Sequence, residues 1–341
     1  MTKQEILIDK VQRKLHCIFW QKLRPGKWAL YLYPAYRRGK RWKRSGTVPD
    51  RSHLYLTARP NKGAGIGHQM ANWNAGLWFA DIFQVHHAYI PFASAQWDDF
   101  LGFGVGEITA KELLKGEGYV KRTLPYFSEK KEEDMRMIQQ IIDSYSGRKV
   151  VFYLERDQIY WAQCGVIPQI CERFRQAPAR KQDHLIFNPD ELTIALHIRR
   201  GDIANGDGTG AATSMQRRWL EVSYYHRVLE QLLPLIQKEQ KYVIYVFSQG
   251  KEEDFAELQD FPNLRFCLDM SARDSFLHMV NADILVTSKS SFSYKPALLS
   301  EGIKICPENF WHEYPKERHW VLASDEGTIP ESGMEQLKGL L

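Results

Sequence analysis

From Leu192 to Cys306 the chain alternates short unbroken apolar runs with helical patterns, and that alternation leaves few folds open. The run Tyr242-Val243-Ile244-Tyr245-Val246-Phe247 shows no polar alternation, so a strand formed there must be buried on both faces. A parallel sheet covered by helices on each side supplies that burial. The pattern predicts strands over 192–198, 242–247, 264–268, 283–287 and 303–306, with helices over 224–237, 251–258, 271–280 and 294–300 between them.

The first half repeats the pattern more weakly. A strand is predicted over 53–57, a Gly-rich turn over 63–67, and a helix over 70–83 in which Met70, Trp73, Leu77 and Ala80 fall at helical spacing. Further strands are predicted over 87–90 and 150–154. The polar stretch 176–189, carrying Pro178 and Pro189, reads as the linker between the halves. The fold class is therefore α/β, with two Rossmann-like domains facing a cleft. The domains expected are 51–185 and 186–341, preceded by a basic N-terminal segment, 1–50.

Charge separates that segment from the rest. Residues 1–44 carry thirteen Lys or Arg against Glu5 and Asp9, whereas the whole chain has a formal charge of +5, so the remainder is net acidic. The densest part, Tyr36-Arg37-Arg38-Gly39-Lys40-Arg41-Trp42-Lys43-Arg44, interleaves aromatics with cations, as suits a surface that meets phosphates. An anionic membrane or a lipid-linked acceptor is one reading, and a solvated basic face with no partner is another; nucleic acid ranks behind both. No stretch of about 18 apolar residues occurs, so neither a membrane span nor an export signal is expected. Five cysteines, odd in number and without metal spacing, read as reduced and structural. A cytoplasmic location follows as the expectation, peripheral to the membrane if the basic segment docks on lipid.

Three segments carry chemistry. The run Leu192 to Asp202 ends a buried strand on His197, Arg199, Arg200, a turn glycine (Gly201) and Asp202. Ligands of open parallel sheets bind at that carboxyl edge, and a guanidinium can neutralise a diphosphate without metal. Exposed arginines paired with Asp202 are the plainer alternative. In the second segment, Thr287-Ser288-Lys289-Ser290-Ser291-Phe292-Ser293 follows a strand and opens a helix, so hydroxyls and N–H groups there can hold an anion; ordinary N-capping explains it equally well. The third, Gly63-Ala64-Gly65-Ile66-Gly67-His68-Gln69, lacks the Walker lysine and the third glycine of the dinucleotide fingerprint, and a simple turn accounts for it. No metal site is expected: His86-His87 has no ligand partners at useful spacing, no Asp-x-Asp occurs, and Asp98-Asp99 point apart.

In this order the three segments resemble the superfamily of α1,2-, α1,6- and protein O-fucosyltransferases. The resemblance covers about Leu56 to Phe310, and the His197 to Asp202 run is closest to the α1,2 branch. It implies a GT-B type fold, inversion at the fucose anomeric carbon, GDP-β-L-fucose as donor substrate, a glycan acceptor, and no cofactor or required metal. Domain 186–341 would bind the GDP-sugar and domain 51–185 would take the acceptor side. Carried over, Arg199 would bind the diphosphate and stabilise departing GDP, with His197 on the nucleotide and Asp202 orienting the motif or helping to recognise the donor; Arg200 completes the paired arginines. Ser290, Ser291 and Phe292 match the phosphate-cradling segment, and Gly65, Gly67 and Gln69 match the glycine segment facing the cleft. His68 stands where members usually carry Asn. Asp207, Asp202 and His68 are the candidates for a base, Asp207 by its spacing from Asp202. A donor with another base or sugar, a different nucleotide-using enzyme, and a non-catalytic glycan- or nucleotide-binding protein stay open at this point.

Overall fold

A computed structural model describes residues 27–42, 48–155, 161, 163–200 and 218–341, with 11 and 15 as single positions. The chain forms two compact units, Met1–Val166 and Ile167–Leu341. Each is α/β and each is built on an all-parallel sheet.

In the first unit, helix α1 (Pro34–Arg41) precedes β1 (Leu54–Ala58), α2 (Ile66–Ile82), β2 (His86–His87), α3 (Ala95–Leu101) and α4 (Ala110–Gly116). Strand β3 (Val120–Thr123), α5 (Glu132–Asp143) and β4 (Val150–Leu154) complete it. The four strands lie in the order β2-β1-β4-β3. All five residues of β4 are buried, which places that run of Val, Phe, Tyr and Leu in the interior of the sheet. Helix α2 lies close against β1 because Gly76 has no side chain: a Cβ there would stand 2.7 Å from the Ala58 backbone nitrogen.

The basic N-terminal segment, expected to stand apart, contributes to this unit. Tyr33, Ala35 and Tyr36 are buried in the core with Phe79, Phe127, Ile138 and Phe152, and α1 packs on α5. Helical geometry explains the mixture, since positions 35, 36 and 39 of α1 turn inward while Arg37, Lys40 and Arg41 stay exposed. Tyr36, read from sequence as part of a phosphate-facing surface, is thus a core residue.

The second unit opens with α6 (Ile167–Gln176) and continues through β5 (Leu192–His197), α7 (Val222–Leu232), β6 (Tyr242–Phe247) and β7 (Leu264–Cys267). Then come α8 (Ala272–Asn281), β8 (Ile284–Val286), α9 (Ser291–Leu299), β9 (Ile303–Pro307), β10 (Trp320–Ala323) and α10 (Glu331–Lys338). The division falls ahead of the 185/186 boundary because α6 packs on α9 and the stretch expected as a linker is anchored in this unit. The Ile186 N–H donates to His278 Nε2 at 3.0 Å, and the Phe187 ring meets those of Tyr245 and His278. Among the described residues no helix is long and apolar enough to cross a membrane.

The six strands lie in the order β10-β9-β8-β5-β6-β7. Counted from β5, this is the 3-2-1-4-5-6 order of doubly wound dinucleotide-binding sheets, and the winding reverses between β5 and β8. Their register is locked at the amino end: the Thr193 N–H and hydroxyl both donate to Asp283 Oδ2, at 2.8 and 2.7 Å, and the Asp283 N–H donates back to Thr193 Oγ1 at 2.9 Å. That clamp fixes what the opposite, carboxyl ends of β5 and β8 present.

Candidate active site

Those carboxyl ends present two of the three segments singled out by sequence. With Leu196 paired to Val286, β5 runs out at His197 beside the turn that follows β8. The His197 ring is buried, its Nδ1 lies 2.8 Å from Ser288 Oγ, and the Phe292 ring lies 5.4 Å away. The Tyr225 hydroxyl donates to the His197 carbonyl at 2.9 Å, fixing the backbone where the strand ends. Burial, and then the adjacent Arg199 charge, push the imidazole down to about 3, so His197 is a neutral hydrogen-bonding group at physiological pH.

Two residues on, Arg199 Nη1 donates to Ser290 Oγ at 3.1 Å. The same oxygen accepts the Phe292 N–H at 3.1 Å, which makes Ser290 the N-cap of α9. Capping and anion holding, posed as alternatives by the sequence, are therefore both available here: the hydroxyl that starts the helix is also the contact of the fixed cation. The turn is tied internally, with the Ser288 N–H donating to Ser293 Oγ at 3.2 Å and the Ser290 N–H to the Ser288 carbonyl at 2.7 Å. Ser291 is buried as the first residue of α9, and Phe292 packs between His197 and Phe276. A cation, serine hydroxyls and a helix N-terminus at the sheet's switch point make an arrangement suited to phosphate.

The paired arginines separate. The Arg200 guanidinium stacks 3.9 Å over the Trp219 ring and donates to the carbonyls of Arg199 and Leu220 at 2.9 and 3.1 Å. It shapes the motif's backbone, while Arg199 meets the serine turn. One charged pair escaped the sequence reading. Lys289, in the middle of the serine turn, is buried and ion-paired with Asp325, which also accepts from Asn309 Nδ2 at 3.2 Å. Asp325 lies beyond β10, and no local spacing connects it to the turn.

Gly201, Asp202 and Asp207 lie outside the described residues. Gly65, Gly67, His68 and Gln69 belong to the other unit, at the start of α2. Gln69 is committed there to loop structure: its Nε2 donates to the Ala64 carbonyl and its Oε1 accepts the Ala93 N–H, both at 2.8 Å. Gly65 is the N-cap, and a Cβ on it would meet nothing within 4 Å. His87 packs edge-on against Trp73, and Asp98 accepts from the Tyr89 hydroxyl and the Phe92 N–H, both structural uses.

No known family model matches the chain, and no curated protein matches it. Among solved structures, it is similar to POFUT1 in complex with GDP at 12% identity, over 74% of this chain and 98% of that one, with a TM-score of 0.41. It is also similar to the fucosyltransferase NodZ from Bradyrhizobium at 11% identity, over 73% and 92% of the two chains, with a TM-score of 0.40. Likenesses this distant carry no weight in assigning the site, which stands on the chain's own geometry.

Proposed function

We propose that this protein is an inverting, metal-independent glycosyltransferase that moves L-fucose from GDP-β-L-fucose to a hydroxyl of a glycan acceptor. The observation that carries the reading is the contact of Arg199 with Ser290, the N-cap of α9, at the switch point of a doubly wound sheet. The choice of GDP-fucose rests on the resemblance of the His197 to Asp202 run, and the α1,2 branch is its nearest form.

In this reading the second unit holds the donor and the first takes the acceptor side. The bond from the fucose anomeric carbon to the β-phosphate oxygen breaks, and the electron pair leaves on GDP. Charge grows on the phosphate as it does, and a cation already fixed beside it lowers the barrier without reorganisation. Arg199 fills that role and makes a divalent ion dispensable. Ser290, Ser291 and the first turn of α9 hold the phosphate oxygens, with Phe292 and neutral His197 walling the nucleotide side. The acceptor oxygen bonds the anomeric carbon from the opposite face and gives up its proton to Asp207, Asp202 or His68.

A donor-hydrolysis screen across GDP-fucose, GDP-mannose and UDP-sugars, run in EDTA, tests the reading. Turnover of GDP-fucose alone is expected. Preference for a UDP-sugar, or activity that returns only with Mn²⁺, would replace it with a different donor chemistry.

A further inference from the structure

The first unit carries a second cationic feature, remote in sequence from the serine turn and independent of the glycosyl-transfer reading. A groove of about 590 Å³ is lined by Arg37, Arg38 and Arg41 of α1, Arg122 of β3 and Arg148 of the loop before β4. Trp42 and Tyr145 supply its aromatic wall, and among the described residues no carboxylate lines it. Three separate stretches of chain thus bring five guanidiniums to one place, which sequence could not show because Arg122 and Arg148 lie far from the basic run.

Among the described residues these charges are left uncompensated. Arg37 and Arg41 stand one helical turn apart on the exposed face of α1, a spacing at which like charges repel. Asp143, two residues before Tyr145 in the chain, is engaged by Arg51 at 2.7 Å. Among the described residues no ion pair reaches Arg37, Arg38, Arg41, Arg122 or Arg148, and the buried Arg122 Nε has no hydrogen-bond partner. Arg38 is preset, with Nε donating to the Ser144 carbonyl at 2.8 Å and its guanidinium 5.2 Å from the Tyr145 ring centre. A cluster of guanidiniums presents the charge and the planar donor forks that phosphate oxygens accept.

A second observation says where the phosphates come from. The turn Lys27–Leu32, which leads straight into α1, leaves Trp28 84% exposed, Leu32 58% and Tyr31 44%. Exposed indole, phenol and aliphatic groups beside a basic cluster are what an interfacial surface uses to seat in lipid headgroups. We infer that this face docks on an anionic membrane, with the arginine groove holding lipid phosphates and Trp28, Tyr31 and Leu32 entering the headgroup layer.

Sedimentation of the full chain with vesicles tests this, comparing phosphatidylcholine alone with phosphatidylcholine containing phosphatidic acid, at low salt. Binding to the acidic vesicles only is expected. Neutralising Arg122→Gln and Arg148→Gln together should weaken it about thirtyfold, on the scale of the surface attraction of two cations. R122K/R148K should keep it, and the exposed R148Q alone should weaken it about fivefold if the double variant does not fold. Undiminished binding by R148Q and R122Q/R148Q would assign the attraction to the N-terminal run and overturn the groove. Equal binding to neutral vesicles would overturn the phosphate requirement. Soluble tripolyphosphate at matched phosphate concentration should compete weakly; complete displacement by it would make this a site for a free polyanion and overturn the membrane assignment.

Discussion

His197 ends β5 and Arg199 follows two residues on; both side chains reach the serine turn, at Ser288 and Ser290, and the guanidinium charge bears on the imidazole. Arg199 adds to the burial that keeps the imidazole neutral, and a neutral ring places no second positive charge beside the guanidinium. Arg199→Ala should lower turnover by two to three orders of magnitude, the usual loss for one fixed transition-state donor, with little change in unfolding midpoint. Arg199→Lys should recover little, because an ammonium lacks the planar fork that meets two oxygens at once. Steady-state donor hydrolysis measures both, and near-normal turnover in either removes Arg199 from the chemistry. The same pair makes a pH prediction. The folded His197 titrates near 3 and the unfolded one near 6.5, so between those values the unfolded chain binds the extra proton. This contribution to stability is complete above pH 6.5 and declines as pH falls toward 3, by about 1.4 kcal/mol per unit. His278, also held down chiefly by burial, adds a slope of the same sign. Urea unfolding of His197→Gln across pH 4 to 7 should show a slope shallower than wild type by about one proton.

At the level of elements, side-chain size controls how closely helices approach the sheets. Gly76→Ala sets about 1 kcal/mol of helix propensity against overpacking, which costs about 1–3 kcal/mol. The added Cβ would stand 2.7 Å from backbone, which cannot swing aside, so overpacking should win and the urea midpoint should fall. Gly65→Ala, with open space around it and φ of −64°, should shift stability by no more than about 1 kcal/mol, the cost of a poorer cap. The elements legible in sequence were those that bury a contiguous apolar run. Tyr242–Phe247 and Val150–Leu154 appear with the bounds read from sequence. Helix ends moved where local chemistry overrode periodicity: Pro234 stops α7 at Leu232, and the Ser290 cap starts α9 three residues early. Edge strand β3, whose sequence is Val-Lys-Arg-Thr and half exposed, carried no apolar signal to read. Helix α1 hid inside the charge run, since Ala35, Tyr36 and Gly39 are its sole buried residues. Of the site, the strand end and serine turn were visible because each motif is local. The separate orientation of Arg200 and the Lys289–Asp325 pair were not, because both depend on chain far from the motif.

Taken whole, the chain is two α/β bodies, and each closes its own apolar core. Ile194, Leu196, Val228, Val246 and Ile305 belong to the second, while Leu56, Phe79, Ile138 and Phe152 belong to the first. A ligand that binds only the native second unit must stabilise that unit by mass action, whatever the first unit does. With GDP at about one hundred times its dissociation constant the gain is about 2.7 kcal/mol, worth roughly 5–10 °C for a unit of this size. In the proposed function Arg199 and the start of α9 carry the phosphate contacts, so the shift should appear in EDTA and vanish in Arg199→Ala. Hydrogen exchange with peptide resolution separates the two bodies. Protection on adding GDP should rise across β5, β8 and α9, with the strands of the first sheet changing little. Added inorganic phosphate should protect weakly at the same peptides, since it offers the serine turn an anion without a nucleoside. Protection that requires Mn²⁺, or that rises first in β1 and β4, would place the nucleotide elsewhere and return the serine turn to plain helix capping.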